Sequence, residues 1–84
     1  METKIIMGID GGGTYTRVLI QDSSGNTLSH IKHQGGASYH KNPNAINDVH
    51  TAILKAVKEA NISIDAIDVA VFANHLIDFI VIVT

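Results

Sequence analysis

Cysteine is missing from this 84-residue sequence, which excludes disulfides, thiolate metal sites and a cysteine nucleophile together. An excess of one charge is missing too. Six Lys and Arg stand against eight Asp and Glu, a formal net charge of −2, so neither nucleic acid nor an anionic membrane is indicated as a partner. No apolar run is long: Leu76 to Val83 is interrupted by Asp78 and falls far short of the roughly 18–20 residues of a membrane span. The N-terminus carries Lys4 and enters a strand-like run without the apolar stretch of a secretory signal, so a cytoplasmic location is expected. His30, His33, His40, His50 and His75 show no metal-ligand spacing such as HExxH. Repeats, linkers and low-complexity tracts are absent as well. What remains, 45% hydrophobic and 17% charged, is the composition of one small globular domain with a modest core.

Lys4 to Ile9 (KIIMGI) is a short apolar run that reads as a buried strand. Asp10-Gly11-Gly12-Gly13 follows as a turn. Thr14 to Gln21 (TYTRVLIQ) is rich in β-branched residues, with Val18 and Ile20 on one face and Arg17, Leu19 and Gln21 on the other. Asp22 to Asn26 is a hairpin turn, and Thr27 to His33 reads as a third, edge-like strand closed by Gly35-Gly36. His30 and His33 are expected to blunt that edge as solvated residues, with His50 solvated on the helix. Asn42 before Pro43 predicts a helix N-cap with Pro at the first position. Ile46, Val49, Ile53, Ala56, Val57 and Ala60 then recur at helical spacing up to Ala60 or Asn61. Ser63 to Asp68 reads as a connection, with one helical turn capped by Ser63, before a buried strand over Ile67 to Ala73. The expected order is β-β-β-α-β in an α/β fold with a mixed sheet.

Glycines spaced like these serve three phosphate-binding designs. A P-loop is excluded because no Lys-Ser/Thr pair follows Gly13 at the required spacing. A dinucleotide loop needs a third glycine and a helix, whereas Thr16 and a strand pattern stand there. The loop therefore joins two antiparallel strands. Such a turn still offers backbone N–H groups to an anion. Thr14 and Thr16, two apart, place their hydroxyls on one face beside the loop, and Asp10 at the strand end is the natural holder of Mg²⁺. A triple-glycine loop also serves elsewhere as a plain tight turn.

The stretch GIDGGGTYT, Gly8 to Thr16, with its following strand and the DSSGN turn, resembles the first phosphate motif of the actin-like (ribonuclease H-like) ATPases. It is most similar to the BadF/BadG/BcrA/BcrD ATPase family, which contains N-acetylglucosamine kinase and glucosamine kinase relatives. The resemblance spans roughly Lys4 to Ala73 and implies the N-terminal portion of that fold. It implies that Asp10 faces Mg-ATP, and that Gly11, Gly12, Gly13, Thr14 and Thr16 line its phosphates. Tyr15 stands where many relatives carry Lys or Arg. The loop Gly35 to His40 corresponds to a sugar-contacting loop, so Ser38 and His40 are candidate ligands for sugar hydroxyls and Tyr39 for a ring face. An ordinary polar loop before a helix fits the same residues.

The resemblance implies that residues 1–84 form a single partial domain. The family's adenosine-binding second domain and its catalytic base are expected beyond residue 84. The tail from Asn74 to Thr84 departs from the family pattern, and Asp78 takes no catalytic role from it. LIDFIVIV is β-prone with one charge and no Pro, so self-association through this tail is expected. The leading function is the N-terminal part of an ATP-dependent amino-sugar kinase, with little or no turnover by these residues alone. Two alternatives are an ATPase activator of a CoA-ester dehydratase or reductase, weakened by the missing Cys, and a non-enzymatic, self-associating remnant of the fold.

Overall fold

The structure, a computed structural model, describes residues 3–37, 42–74 and 80–83. Strand β1 is Ile5–Gly11, β2 Tyr15–Asp22 and β3 Thr27–Gln34; helix α1 is Ala45–Ala60; β4 is Val69–Asn74 and β5 Ile80–Val83. A single 3-10 turn, Ile64–Ala66, follows the helix, with Ser63 at its N-cap position. The strands form one sheet in the order β3-β2-β1-β4-β5. β1 pairs antiparallel with β2 and β2 with β3, while β1 and β4 run parallel, as the crossover through α1 allows. The sheet is mixed, as expected.

Alternation along β1 and β2 decides the two faces of the sheet. Met7 and Ile9, with Val18 and Ile20, turn toward α1 and join Ala52, Ala56, Val57, Ile67 and Ala70 in the core. Alanines at 45, 52 and 56 are buried, and small side chains there let the helix lie close on β2 and β3. Ser29, buried on β3, donates its hydroxyl to the Ala56 carbonyl at 2.8 Å. On the opposite face Gly8, Asp10, Arg17, Leu19, His30, Val71 and Ala73 line an open groove of about 340 Å³.

Two boundaries and the burial of one residue differ from the sequence expectation. β1 continues through Asp10 and Gly11, because Gly11 is paired with Thr16 on one side and Asn74 on the other. The helix starts later than expected: Asn44 occupies the N-cap position, and Asn42 and Pro43 form a turn closed by Ala45 N–H to the Asn42 carbonyl at 3.0 Å. Ile46, expected on the buried face, is 78% exposed, since the alanines at 45, 52 and 56 centre that face elsewhere. The helix end is as expected, with Asn61 left-handed at φ 58 and its N–H bonded to the Lys58 carbonyl.

The tail also finds a place. β5 pairs antiparallel with β4, from Val69 opposite Val83 to Phe72 opposite Ile80. One of its edges is therefore satisfied within the chain. No helix among the described residues is long and apolar enough to cross a membrane.

Candidate phosphate-binding site

The β1–β2 hairpin closes through Gly12 N–H to the Tyr15 carbonyl at 2.9 Å. Gly13 and Thr14 stand at its tip, and their N–H groups have no hydrogen-bond partner among the described residues. Unpartnered amides at a tight turn are the elements of an anion nest. Because β1 and β4 are parallel with Asp10 beside Ala73, the tip lies at the carboxyl end of the parallel pair. Ligands of open α/β sheets collect at that end.

Asp10 is exposed on β1 and sits opposite Arg17 in the antiparallel register. Asp10, Gly12, Gly13, Thr14, Tyr15 and Arg17 together line a cavity of about 270 Å³. The structure thus brings Asp10, Gly12, Gly13 and Thr14 to one place, with Gly11 beneath them as the last residue of β1. Arg17 is the member that sequence reasoning left out. Sequence alternation sets it only on the face opposite Val18, whereas its pairing with Asp10 brings the residue to the same cavity. Tyr15 is turned to another use, with Lys32 Nζ 4.1 Å from its ring centroid.

Thr16 takes a different position from Thr14. It is fully buried on the α1 side, and its hydroxyl donates to the Gly35 carbonyl at 2.8 Å. Thr14 is exposed at the tip. Thr16 therefore ties the hairpin to the segment after β3. Two backbone bonds complete that seam: Gly35 N–H to the Thr14 carbonyl at 2.8 Å, and Ala37 N–H to the Gly12 carbonyl at 2.9 Å. A side chain at Gly36 would collide with the Gly13 carbonyl, so the Gly35-Gly36 pair is a close-packing element as well as a strand stop.

Below this seam lies a second cluster. Asn42 Nδ2 donates to the Gly36 carbonyl at 2.9 Å and to Asp48 Oδ2 at 2.8 Å. His33 Nε2 is 3.4 Å from Asp48 Oδ1, and Lys55 Nζ is 3.2 Å from His33 Nδ1. A lysine ammonium only donates, so Nδ1 accepts and Nε2–H is left to face the carboxylate. The Asn42 amide, with His33, holds the Asp48 carboxyl below its usual 3.8. His33 is thus half-buried against α1, a correction to its expected solvated role: the side chain alternates inward on β3 and meets Asp48. His30 and His50 are exposed as expected. Ser38 and His40, the candidate sugar ligands, and Tyr39 lie outside the described residues.

No protein-family model matches the chain, and no curated protein matches it. Among solved structures, it resembles a Chromobacterium violaceum protein provisionally identified as an N-acetylglucosamine kinase. The two superpose with a TM-score of 0.58 at 24% identity over 71% of this chain. The chain spans about a fifth of that protein's length, 21%. The likeness shows the fold alone: a small mixed sheet with one helix, consistent with the N-terminal part of an actin-like ATPase or kinase fold.

Proposed function

We propose that this chain is the phosphate-binding N-terminal part of an ATP-dependent sugar kinase of the BadF/BadG/BcrA/BcrD type, with an amino sugar such as N-acetylglucosamine as phosphoryl acceptor. One observation carries the reading. The hairpin tip offers the N–H groups of Gly13 and Thr14, unpartnered among the described residues, beside the Asp10 carboxylate, at the strand ends where such folds take ligands.

In this reading the tip amides and the Thr14 hydroxyl bind phosphate oxygens, with Gly11 and Gly12 letting the backbone approach and Thr16 fixing the hairpin from beneath. Arg17 supplies a cation beside the phosphates that Tyr15 does not. Among the described residues no group of three or more His, Asp or Glu could hold a metal alone. Mg²⁺ usually takes one or two carboxylates plus nucleotide oxygens, and a lone Asp10 beside an anion nest fits that pattern. Bound there, Mg²⁺ would neutralise charge on the phosphates. Ser38 and His40 are the proposed sugar contacts. A second domain, for adenosine and the catalytic base, belongs to this reading.

The experiment is calorimetric titration of the purified chain with Mg-ATP, beside Asp10→Ala. Binding by the wild type that is lost in the variant supports the reading. A well-folded chain that releases no heat with Mg-ATP would remove the hairpin as a working phosphate site.

Self-association is a second, compatible reading. β5 is an edge strand of four consecutive β-branched residues, Ile80–Val83, with none of the charges or prolines that protect edges. Light scattering across a concentration series tests it, and a monomer at all concentrations would rule it out.

A further inference from the structure

The Asn42–Asp48 pair is separate from the cavity at the hairpin tip, and nothing in the proposed chemistry requires it. Its contacts nevertheless lead to that tip. Asp48 Oδ2 accepts from Asn42, and the same Asn42 amide grips the Gly36 carbonyl. Gly35 and Ala37, on either side, hold the carbonyls of Thr14 and Gly12. Steric contacts follow the same line: Gly35, at φ +116, has no room for a side chain because the Asp48 carboxylate lies against it, and Gly36 has none because of Gly13. The two glycines are therefore gripped between the start of α1 and the glycine turn. His33, with Lys55 behind it, fixes the other carboxylate oxygen.

We infer that Asn42 and Asp48 are positioning residues for the phosphate-binding turn, clamping the 35–37 segment and through it the backbone of Gly12 to Thr14. The inference rests on the phosphate reading given above. The carbonyls of Gly12 and Thr14 are engaged on the inner side by Ala37 and Gly35. The Gly12 carbonyl shares its peptide plane with Gly13 N–H, and the Gly13 carbonyl, packed against Gly36, shares its plane with Thr14 N–H, so holding the two carbonyls inward keeps both N–H groups directed outward. An anion nest depends on that preorganisation, since amides already aimed need no reordering when the phosphate arrives. Released from Asn42, the segment would relax and the turn would lose its inner support.

Two measurements on the full chain test this. Amide hydrogen exchange of Gly35 and Ala37 is compared in wild type, Asn42→Ala, Asp48→Ala and a control, Val57→Ala, which removes core contacts away from the turn. Exchange at these two amides, relative to those of Ile9 and Val18, is expected to rise roughly tenfold in the first two variants and stay unchanged in the control. Mg-ATP affinity is expected to fall on the order of tenfold in the same two variants and to hold in Val57→Ala at a temperature where all are folded. Unchanged exchange at Gly35 and Ala37 overturns the clamp, whatever the nucleotide does. A wild type that binds Mg-ATP beside variants that bind equally well overturns it too. A wild type that ignores Mg-ATP overturns the phosphate reading itself, and with it the role assigned to the clamp.

Discussion

Two glycine-to-alanine substitutions, chemically identical, are expected to move stability in opposite directions. At Gly8 an added Cβ meets nothing within 4 Å, and the residue lies in the regular part of β1. Alanine there restricts the unfolded chain without disturbing the folded one, and is expected to stabilise by about 0.4–1 kcal/mol. At Gly36 the same methyl would collide with the Gly13 carbonyl, a backbone atom that no rotamer change can move aside. Overpacking of this kind costs about 1–3 kcal/mol. In a domain of this size each kcal/mol corresponds to roughly 4–8 °C in Tm. Gly36→Ala is therefore expected to melt roughly 8–16 °C lower for a mid-range cost of about 2 kcal/mol, and Gly8→Ala a few degrees higher. Thermal melts and urea titrations followed by circular dichroism measure both. A Gly36→Ala chain as stable as wild type would refute the close approach of the two loops. Because the shift needed to admit the methyl displaces Gly13, Mg-ATP affinity is expected to drop in the folded variant as well.

Thr16→Val keeps the shape of a fully buried side chain but strands the Gly35 carbonyl; a loss of about 1–2 kcal/mol in urea is expected, with the slope unchanged. Ala56→Leu forces a larger side chain between α1 and the sheet, where Ala56 has no exposed surface. It should cost about 1–3 kcal/mol, whereas Ile46→Ser at a 78% exposed position should stay within about 0.5 kcal/mol. The carboxyls of Asp22 and Asp48 titrate below 3.8, held down first by the Asn26 and Asn42 side chains respectively. A depressed carboxyl stabilises the fold above its unfolded value and loses that contribution as pH falls through the folded one. Melting temperature should therefore fall below about pH 4, and Asp48→Asn should show a smaller fall than wild type.

The hairpin, the helix end and the glycine turn are legible in the sequence because each is a short-range signal. DSSGN specifies its own turn: Asp22 Oδ1 accepts from the N–H groups of Ser24 and Asn26, each at 2.9 Å. Asn61 specifies a left-handed cap by itself. The misjudged features depend on partners distant in sequence. Asn42 before Pro43 carries a helix-start signal, yet its amide is used by Gly36 and Asp48, and the cap falls to Asn44. His33 looks like a polar residue on an edge strand until α1 brings Asp48 across to it. Gly35-Gly36 reads as a strand stop, and only the fold shows Gly35 against the Asp48 carboxylate and Gly36 against the backbone of Gly12 and Gly13. Arg17 was invisible as a site residue for the same reason: its place opposite Asp10 is a matter of register.

The exposure of the site sets a limit on chemistry, which makes a final prediction. Asp10, Thr14, Tyr15 and Arg17 are all exposed, so under the proposed function the hairpin would present charge and hydrogen bonds to a phosphate without removing water from it. Binding needs only the aimed amides and a cation. Phosphoryl transfer needs donor and acceptor held in line in a closed, dry site, and in the proposed reading the described residues form one wall of such a site. Mg-ATP binding and turnover should therefore separate. Calorimetry is expected to show weak binding that depends on Asp10, while a coupled ADP assay with N-acetylglucosamine stays at the level of the Asp10→Ala control. Phosphorylated sugar formed by the wild type well above that control would mean that one wall suffices, and the requirement for a second domain would fall.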